Sequence, residues 1–268
     1  MADFPALHVC RPDPYTAGMI IGEKMARSIL TRTGIPGADY CLNPYTGCGH
    51  ACVYCYATYM KKYSGHDEPW GEFVDAKINA PDLLRRELRR RREGEVIVSS
   101  VTDPYQPVEA RFKLTRACLE ILAMSDLEVC ILTKSALVTR DADILCHMRQ
   151  VDVGLTITTD REDIRTLLEP GASSIAARLE ALAALKARGI PTHAFIGPML
   201  PMNPERLAEA VAPLVTHVLI DRMNYAWRVR DFYLRHKLAA ALEDAYFEET
   251  EAVLTRTLSK LGVEVRVV

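Results

Sequence analysis

No excess of charge marks this sequence: 33 Lys and Arg stand against 35 Asp and Glu, a formal net charge of −2. So even a balance supplies no global field to draw in nucleic acid and leaves only a local basic patch as an electrostatic route to it. No apolar run is long enough to span a bilayer, and the opening MADFPALHVCRPDPY has neither the basic start nor the apolar stretch of a secretion signal. A cytoplasmic location without membrane contact is the expectation. Internal repeats, low-complexity tracts and a dividing linker are also lacking. What is present is a 49% apolar fraction in 268 residues, enough for a well-buried core in one large α/β domain or two small ones. Eight cysteines, without a secretory context, read as thiols or metal ligands and not as a disulfide framework.

Residues 1–40 are punctuated by PDPY at 12–15 and GIPG at 34–37, which predicts an irregular leader packed on the domain. From 95 onward, short β-branched runs alternate with longer amphipathic ones, the pattern of repeated β-α units on a parallel sheet. Strands are predicted at 95–101, 128–133, 151–157, 192–197 and 217–221, with one more just before Cys48. Helices are predicted at 52–63, 80–92, 113–125, 139–148, 173–187 and 204–214; Ser173 and Ser174 cap the fifth and Gly189 ends it. A long last helix over 230–261 stops at Gly262 and leaves VEVRVV as a terminal strand. About six such units predict a partial (β/α)6 barrel of TIM type over residues 41–225, followed by a helical extension over 226–268. In such a barrel functional groups gather at the C-terminal ends of the strands.

The segment NPYTGCGHACVYCYA spaces Cys48, Cys52 and Cys55 as C-x3-C-x2-C, so one loop can present three thiolates to a single metal centre. An iron-sulfur cubane usually takes four thiolates; with three, one iron keeps an open position for a substrate or cofactor. The alternative is a non-catalytic zinc knuckle, with His50 or Cys41 as fourth ligand. Small residues at Gly47, Gly49 and Ala51 let backbone approach the sulfurs.

The motif resembles that of the radical S-adenosylmethionine (SAM) superfamily. The resemblance implies one [4Fe-4S] cluster on Cys48, Cys52 and Cys55, whose open iron is chelated by the amino and carboxylate groups of SAM. It implies reductive cleavage of SAM to a 5′-deoxyadenosyl radical, which abstracts hydrogen from a substrate. Tyr54, the aromatic before the last cysteine, takes the place near the adenine. A one-electron donor such as flavodoxin or ferredoxin is the implied partner. Beyond the cysteines, VIVSSVTDPYQPVEARFKLTR resembles the branch containing spore photoproduct lyase, over roughly residues 40–225. In that branch Ser100, Thr102 and Asp103 stand in for a Gly-Gly-Glu motif that this sequence lacks. The resemblance assigns Asp103 to the SAM amino group with Ser100 as neighbour, Lys134 to the SAM carboxylate, and Thr158 or Thr159 to the ribose. Arg178 is either a second carboxylate contact or a surface charge. The lyase carries a hydrogen-donor cysteine where SSVTD has Ser100, so the lyase reaction here needs another donor. Tyr105 is the nearest, ahead of Cys118, Cys130 and Cys146, which fall in predicted element interiors.

Four further features carry two readings each. Glu109 matches the family string and is expected to hold Arg111 or Arg116. The run LLRRELRRRREGE is expected to be a solvated helix with Leu83, Leu84 and Leu88 inward, against a nucleic-acid patch. Phe195 to Asn203 either walls the pocket or packs in the core; Trp227, Arg228, Arg230 and Tyr233 form either a stacking surface or a docking helix. The substrate classes left open are a nucleic-acid lesion or base, a peptide, and a small metabolite.

Overall fold

The computed structural model describes residues 18–90 and 93–268. The PDPY turn and Cys10 in the leader, and Arg91 and Arg92 of the arginine run, lie outside the described residues. The chain runs through β1 (Ile20–Lys24), β2 (Leu30–Arg32), β3 (Tyr40–Leu42), β4 (Tyr45–Gly47) and β5 (Phe73–Lys77), then α1 (Ala80–Leu88) and β6 (Glu95–Val98). There follow α2 (Glu109–Phe112), α3 (Leu114–Leu122), β7 (Glu128–Thr133), α4 (Ala142–Leu145), β8 (Val151–Thr156), α5 (Glu162–Leu168) and α6 (Ile175–Ala187). The last elements are β9 (Thr192–Ile196), α7 (Pro204–Val211), β10 (His217–Ile220), α8 (Arg230–Arg235), α9 (Asp244–Lys260) and β11 (Glu264–Val267).

Strands β3, β6, β7, β8, β9 and β10 are neighbours in chain order, each pair parallel. That winding, without reversal, is a partial (β/α)6 barrel; β11 adds a parallel strand at one edge and β2 an antiparallel one at the other. Along β7 the burial alternates. Val129 and Ile131 pack outward against the helices, while Cys130 and Leu132 are half-buried on the inner bore. Helix α1 turns Leu83 and Leu84 into the core with Leu88 against it, the solvated helix the sequence predicts.

Three differences from the predicted elements have physical causes. The strand before Cys48 exists, but β4 belongs to a separate three-stranded sheet with β5 and β1, and the first barrel strand is β3. The helix over 52–63 is a 3₁₀ stretch, Tyr56–Tyr63, because Cys52 to Cys55 are held in a turn. The long last helix is broken: Lys237 adopts φ +58°, Leu238 N–H donates back to Tyr233 O at 2.8 Å, and a 3₁₀ turn at Ala239–Leu242 separates α8 from α9.

Candidate active site at the open end of the barrel

Cys48, Cys52 and Cys55 sit in the first β-α connection, on a loop fastened from two sides. On one side, Gln106 accepts from Gly49 N–H at 2.8 Å and donates to Gly47 O at 3.2 Å, while the Thr102 hydroxyl donates to Gly47 O at 2.6 Å. On the other, Val53 N–H donates to Leu168 O at 2.9 Å, Gly171 N–H donates to His50 O at 3.0 Å, and His50 Nδ1 donates to Gly171 O at 2.9 Å. The second fastening needs glycine: a Cβ at Gly171 would stand 2.2 Å from Gly49 O. The loops after β6 and after α5 thus fix the cysteine loop over the strand ends.

The three cysteines line a cavity of about 210 Å³ with His50, Tyr54, Tyr56, the Ser99 to Asp103 turn, Lys134, Thr156, Phe195, Gly197, Pro198 and the post-β10 residues Asp221, Arg222 and Asn224. Phe195, Gly197 and Pro198 wall it, whereas Met199 and Leu200 are core, so the 195–203 stretch does both things expected of it. Burial, with the negative charge of Asp103 and Cys55, pushes the Cys48 thiol up to about 12, and burial likewise raises Cys52 and Cys55. A metal ion bound among the three would favour their thiolate form. Lys134 places Nζ 5.7 Å from the centre of the Tyr54 ring. Burial pushes its ammonium down, but negative charge at Cys52 and Glu169 outweighs that and the net direction is up.

Asp103 lines the cavity and accepts three hydrogen bonds. Its Oδ1 accepts from Thr133 Oγ1 at 2.6 Å and Tyr105 N at 2.8 Å; its Oδ2 accepts from Lys134 N at 2.9 Å and faces His50 Nε2 at 3.2 Å. A carboxylate offers about four acceptor directions; three take hydrogen bonds, and His50 Nε2, with the Nδ1 proton committed to Gly171 O, makes none. Burial pushes its carboxyl up, yet His50, Thr133 and Lys134 together hold it down to about 2. Ser100 is pinned to Asn43, which accepts from Ser100 N at 2.9 Å and Val101 N at 3.1 Å. Ser99, in the left-handed region at φ +69°, lines the cavity with a buried hydroxyl that has no hydrogen-bond partner.

A residue that the sequence reading missed organises the other wall. Glu169, wholly buried at the end of α5, accepts from the Tyr54 hydroxyl, from Thr158 Oγ1 at 2.8 Å and from Arg178. Arg178 also donates to Thr156 O and Ser173 O, each at 2.9 Å, and is 0% exposed. Neither reading of Arg178 describes it: it is no surface charge, and it does not line the cavity. Thr158 and Thr159 also lie behind the wall, their hydroxyls committed to Glu169 and to Pro201 O. Tyr105, expected at the reaction centre, is a core residue, 0% exposed with Arg140 Cζ 5.8 Å from its ring, and is outside the cavity lining. Glu109 holds Arg140 at 2.7 Å in place of Arg111, and caps α3 through Thr115 N and Arg116 N at 3.0 and 3.2 Å. Cys118 is core, Cys130 faces the bore, and Cys146 is exposed at the end of α4.

The spacing of the sulfurs bears on the metal they suit. Ligands of one tetrahedral zinc at ~2.3 Å stand roughly 3.8 Å apart. The three sulfurs do not form a trio within 4.8 Å of one another. Thiols that share a cavity at wider spacing suit a cluster in which each takes its own iron. Residues 42–213 match the family model described as Radical SAM superfamily. The chain belongs to the radical SAM superfamily.

Curated relatives extend that match. The uncharacterized protein MJ0683 of Methanocaldococcus jannaschii is 35% identical over 241 residues, 89% of this chain and 88% of that protein. The uncharacterized protein Rv2578c of Mycobacterium tuberculosis is 33% identical over 202 residues, 70% of this chain and 58% of its own length. Among solved structures, a spore photoproduct lyase mutant superposes with a TM-score of 0.71 at 15% identity, covering 95% of this chain and 84% of that one. SuiB of Streptococcus suis, bound to S-adenosylmethionine, gives 0.58 at 10% identity over 85% of this chain and 49% of that one. At these identities the likeness is one of fold: this member of the superfamily has the partial barrel of the lyase.

Proposed function

We propose that Cys48, Cys52 and Cys55 hold a single [4Fe-4S] cluster, that the adjoining cavity binds SAM, and that the protein abstracts hydrogen from a substrate seated over the barrel mouth. The observation that carries this reading is the meeting of three thiols, the Lys134 ammonium and the unpartnered Ser99 hydroxyl on one cavity at the strand ends. The bound cluster supplies the electron that splits the sulfonium C–S bond of SAM, and a donor of the flavodoxin or ferredoxin class supplies the cluster. In this reading Lys134 is the cation for the SAM carboxylate, Tyr54 the ring beside the adenine, and Ser99 and Ser100 the hydroxyls within reach. Asp103, which lines the cavity, is the carboxylate for the SAM amino group, and it also fixes Lys134 through the backbone. Thr158 and Arg178 act through Glu169, which sets Tyr54. The enclosing walls would hold SAM and substrate together and keep out competing hydrogen donors.

Among the substrate classes, a base-bearing one is favoured by the rim. Trp227 is 72% exposed, Arg228 Cζ lies 5.2 Å from its ring and 4.7 Å from that of Tyr225, and Arg228 donates to Thr58 just beyond the cysteine loop at 3.2 Å. The test is direct. Anaerobically reconstituted, dithionite-reduced protein with SAM is expected to release 5′-deoxyadenosine and methionine in equal amounts. Release of neither by protein with a full iron complement would leave a metal-binding protein without this chemistry. Lys134→Met is expected to weaken SAM binding about tenfold or more, as loss of a buried charge-assisted contact does, with iron content unchanged; equilibrium dialysis with SAM measures it.

A further inference from the structure

The bore of the barrel carries a second set of ligating side chains at its other end. Thr156 and Phe195 face the cavity, so strand alternation turns Gly154, Asp152 and His193 to the same inner surface, and His217 stands beside His193 in register. Asp152 lies four positions before the cavity-lining Thr156 on β8, roughly 13 Å along the strand. Asp152 Oδ2 lies 3.0 Å from His193 Nδ1 and 3.6 Å from His217 Nε2, and the three ligand atoms fall within 4.8 Å of one another. Two ligands of one tetrahedral zinc, each at about 2.0–2.1 Å, stand roughly 3.3 Å apart, a value these two separations bracket.

The trio does not satisfy its own hydrogen bonds. The Thr216 hydroxyl donates to Thr192 O at 3.0 Å, so toward His217 Nδ1, 3.1 Å away, it is an acceptor and Nδ1 carries the ring proton. That leaves the Nε2 lone pair of the neutral ring pointing at a carboxylate. His193 is 2% exposed, and its Nδ1 has no aligned hydrogen-bond partner; neither does Asp152 Oδ1. The ring is held in place by shape: it stacks on His217 with centroids 4.9 Å apart, and it fills the space over Gly154, where a Cβ would stand 2.1 Å from Nε2. Thr216 supplies what a metal-bound histidine ordinarily has, a fixed partner for its other nitrogen.

We propose that Asp152, His193 and His217 form a divalent transition-metal site of zinc type at the base of the barrel, with the fourth position open to water. The ion joins β8, β9 and β10 at the end opposite the cysteine loop and gives His217 Nε2, the buried His193 Nδ1 and the Asp152 carboxylate one shared partner. Asp152 and His217, 35% and 17% exposed, give it access from outside.

The test uses cluster-replete protein kept anaerobic and titrated with Zn²⁺ against a chromophoric chelator, with iron counted before and after. One equivalent of zinc per chain is expected, with no iron released, together with a rise in Tm. Asp152→Asn and His217→Ala, both partly exposed positions, are expected to weaken that uptake about a hundredfold or more and to abolish the rise in Tm, while iron content and 5′-deoxyadenosine release stay at wild-type levels. Thr216→Val, which removes only the partner of His217 Nδ1, is expected to cost about tenfold in affinity. The proposal is overturned if wild-type protein takes up zinc only as iron leaves, which would place it on the cysteines, or if the two ligand variants bind as tightly as wild type.

Discussion

Replacing any one of Cys48, Cys52 or Cys55 with alanine is expected to reduce 5′-deoxyadenosine formation to the level of cluster-free protein and to lower bound iron well below about four per chain. Cys41→Ala and Cys118→Ala are expected to change neither. The contrast follows from placement: three thiols open on one cavity, whereas Cys41 is buried in β3 and Cys118 in α3. It also separates the two metal readings. A mononuclear site completed by Cys41 would lose its ion in the Cys41→Ala variant, and a site of spaced thiols, each with its own iron, would not. Iron analysis and the absorbance of the anaerobically reconstituted variants decide it; wild-type iron in Cys52→Ala would sink the assignment.

The barrel was legible where local chemistry sets local structure. Runs such as EVCIL and VDVGLT are β-branched with their outward residues buried, and both are strands at the expected places. Two helix ends marked by glycine, at Gly189 and Gly262, close with Ile190 N–H on Leu185 O and Val263 N–H on Leu258 O, at 3.2 and 3.0 Å. The same closure at Lys237 was invisible because lysine gives no signal for the left-handed region, and α8 and α9 therefore read as one helix. The cysteine loop was legible because its three ligands fall within eight residues. Glu169 was not. Its partners Tyr54 and Arg178 meet it across 115 and 9 residues of chain, and the only trace in the sequence is a lone acid in the apolar string TLLEPG. A buried acid needs a cation, and Arg178, left with two readings by position alone, is that cation. The expectations for Tyr105 and Thr158 erred in the same way: nearness along the chain to a strand end does not say which side of the wall a side chain occupies.

Glu169→Ala is expected to be the most destabilising single change among the residues behind the cavity wall. Arg178 is 0% exposed, and two of its donors reach carbonyl oxygens that leave its charge uncompensated. Removing one partner of a buried ion pair costs about 3–5 kcal/mol, because the other charge is stranded. The double variant Glu169→Leu with Arg178→Met is expected to recover a large part of the loss, since apolar replacements of similar volume dispense with both desolvation costs. Burial pushes the Glu169 carboxyl up, but Arg178 and then Lys134 outweigh it and the net direction is down. A folded-state value below the unfolded one gives stability that is fully present above about pH 4.3 and is lost as pH falls through the folded value. Thermal melts of cluster-replete wild type and Glu169→Gln across pH 3 to 8 are therefore expected to differ most near neutrality and to converge toward the acid end. The glutamine variant also frees Tyr54, so weaker SAM binding is expected at pH 7 with iron content unchanged. An unchanged gap between the two proteins from pH 3 to 8 would mean that the carboxylate charge does not hold Arg178, and that the wall behind the cavity is stabilised by packing alone.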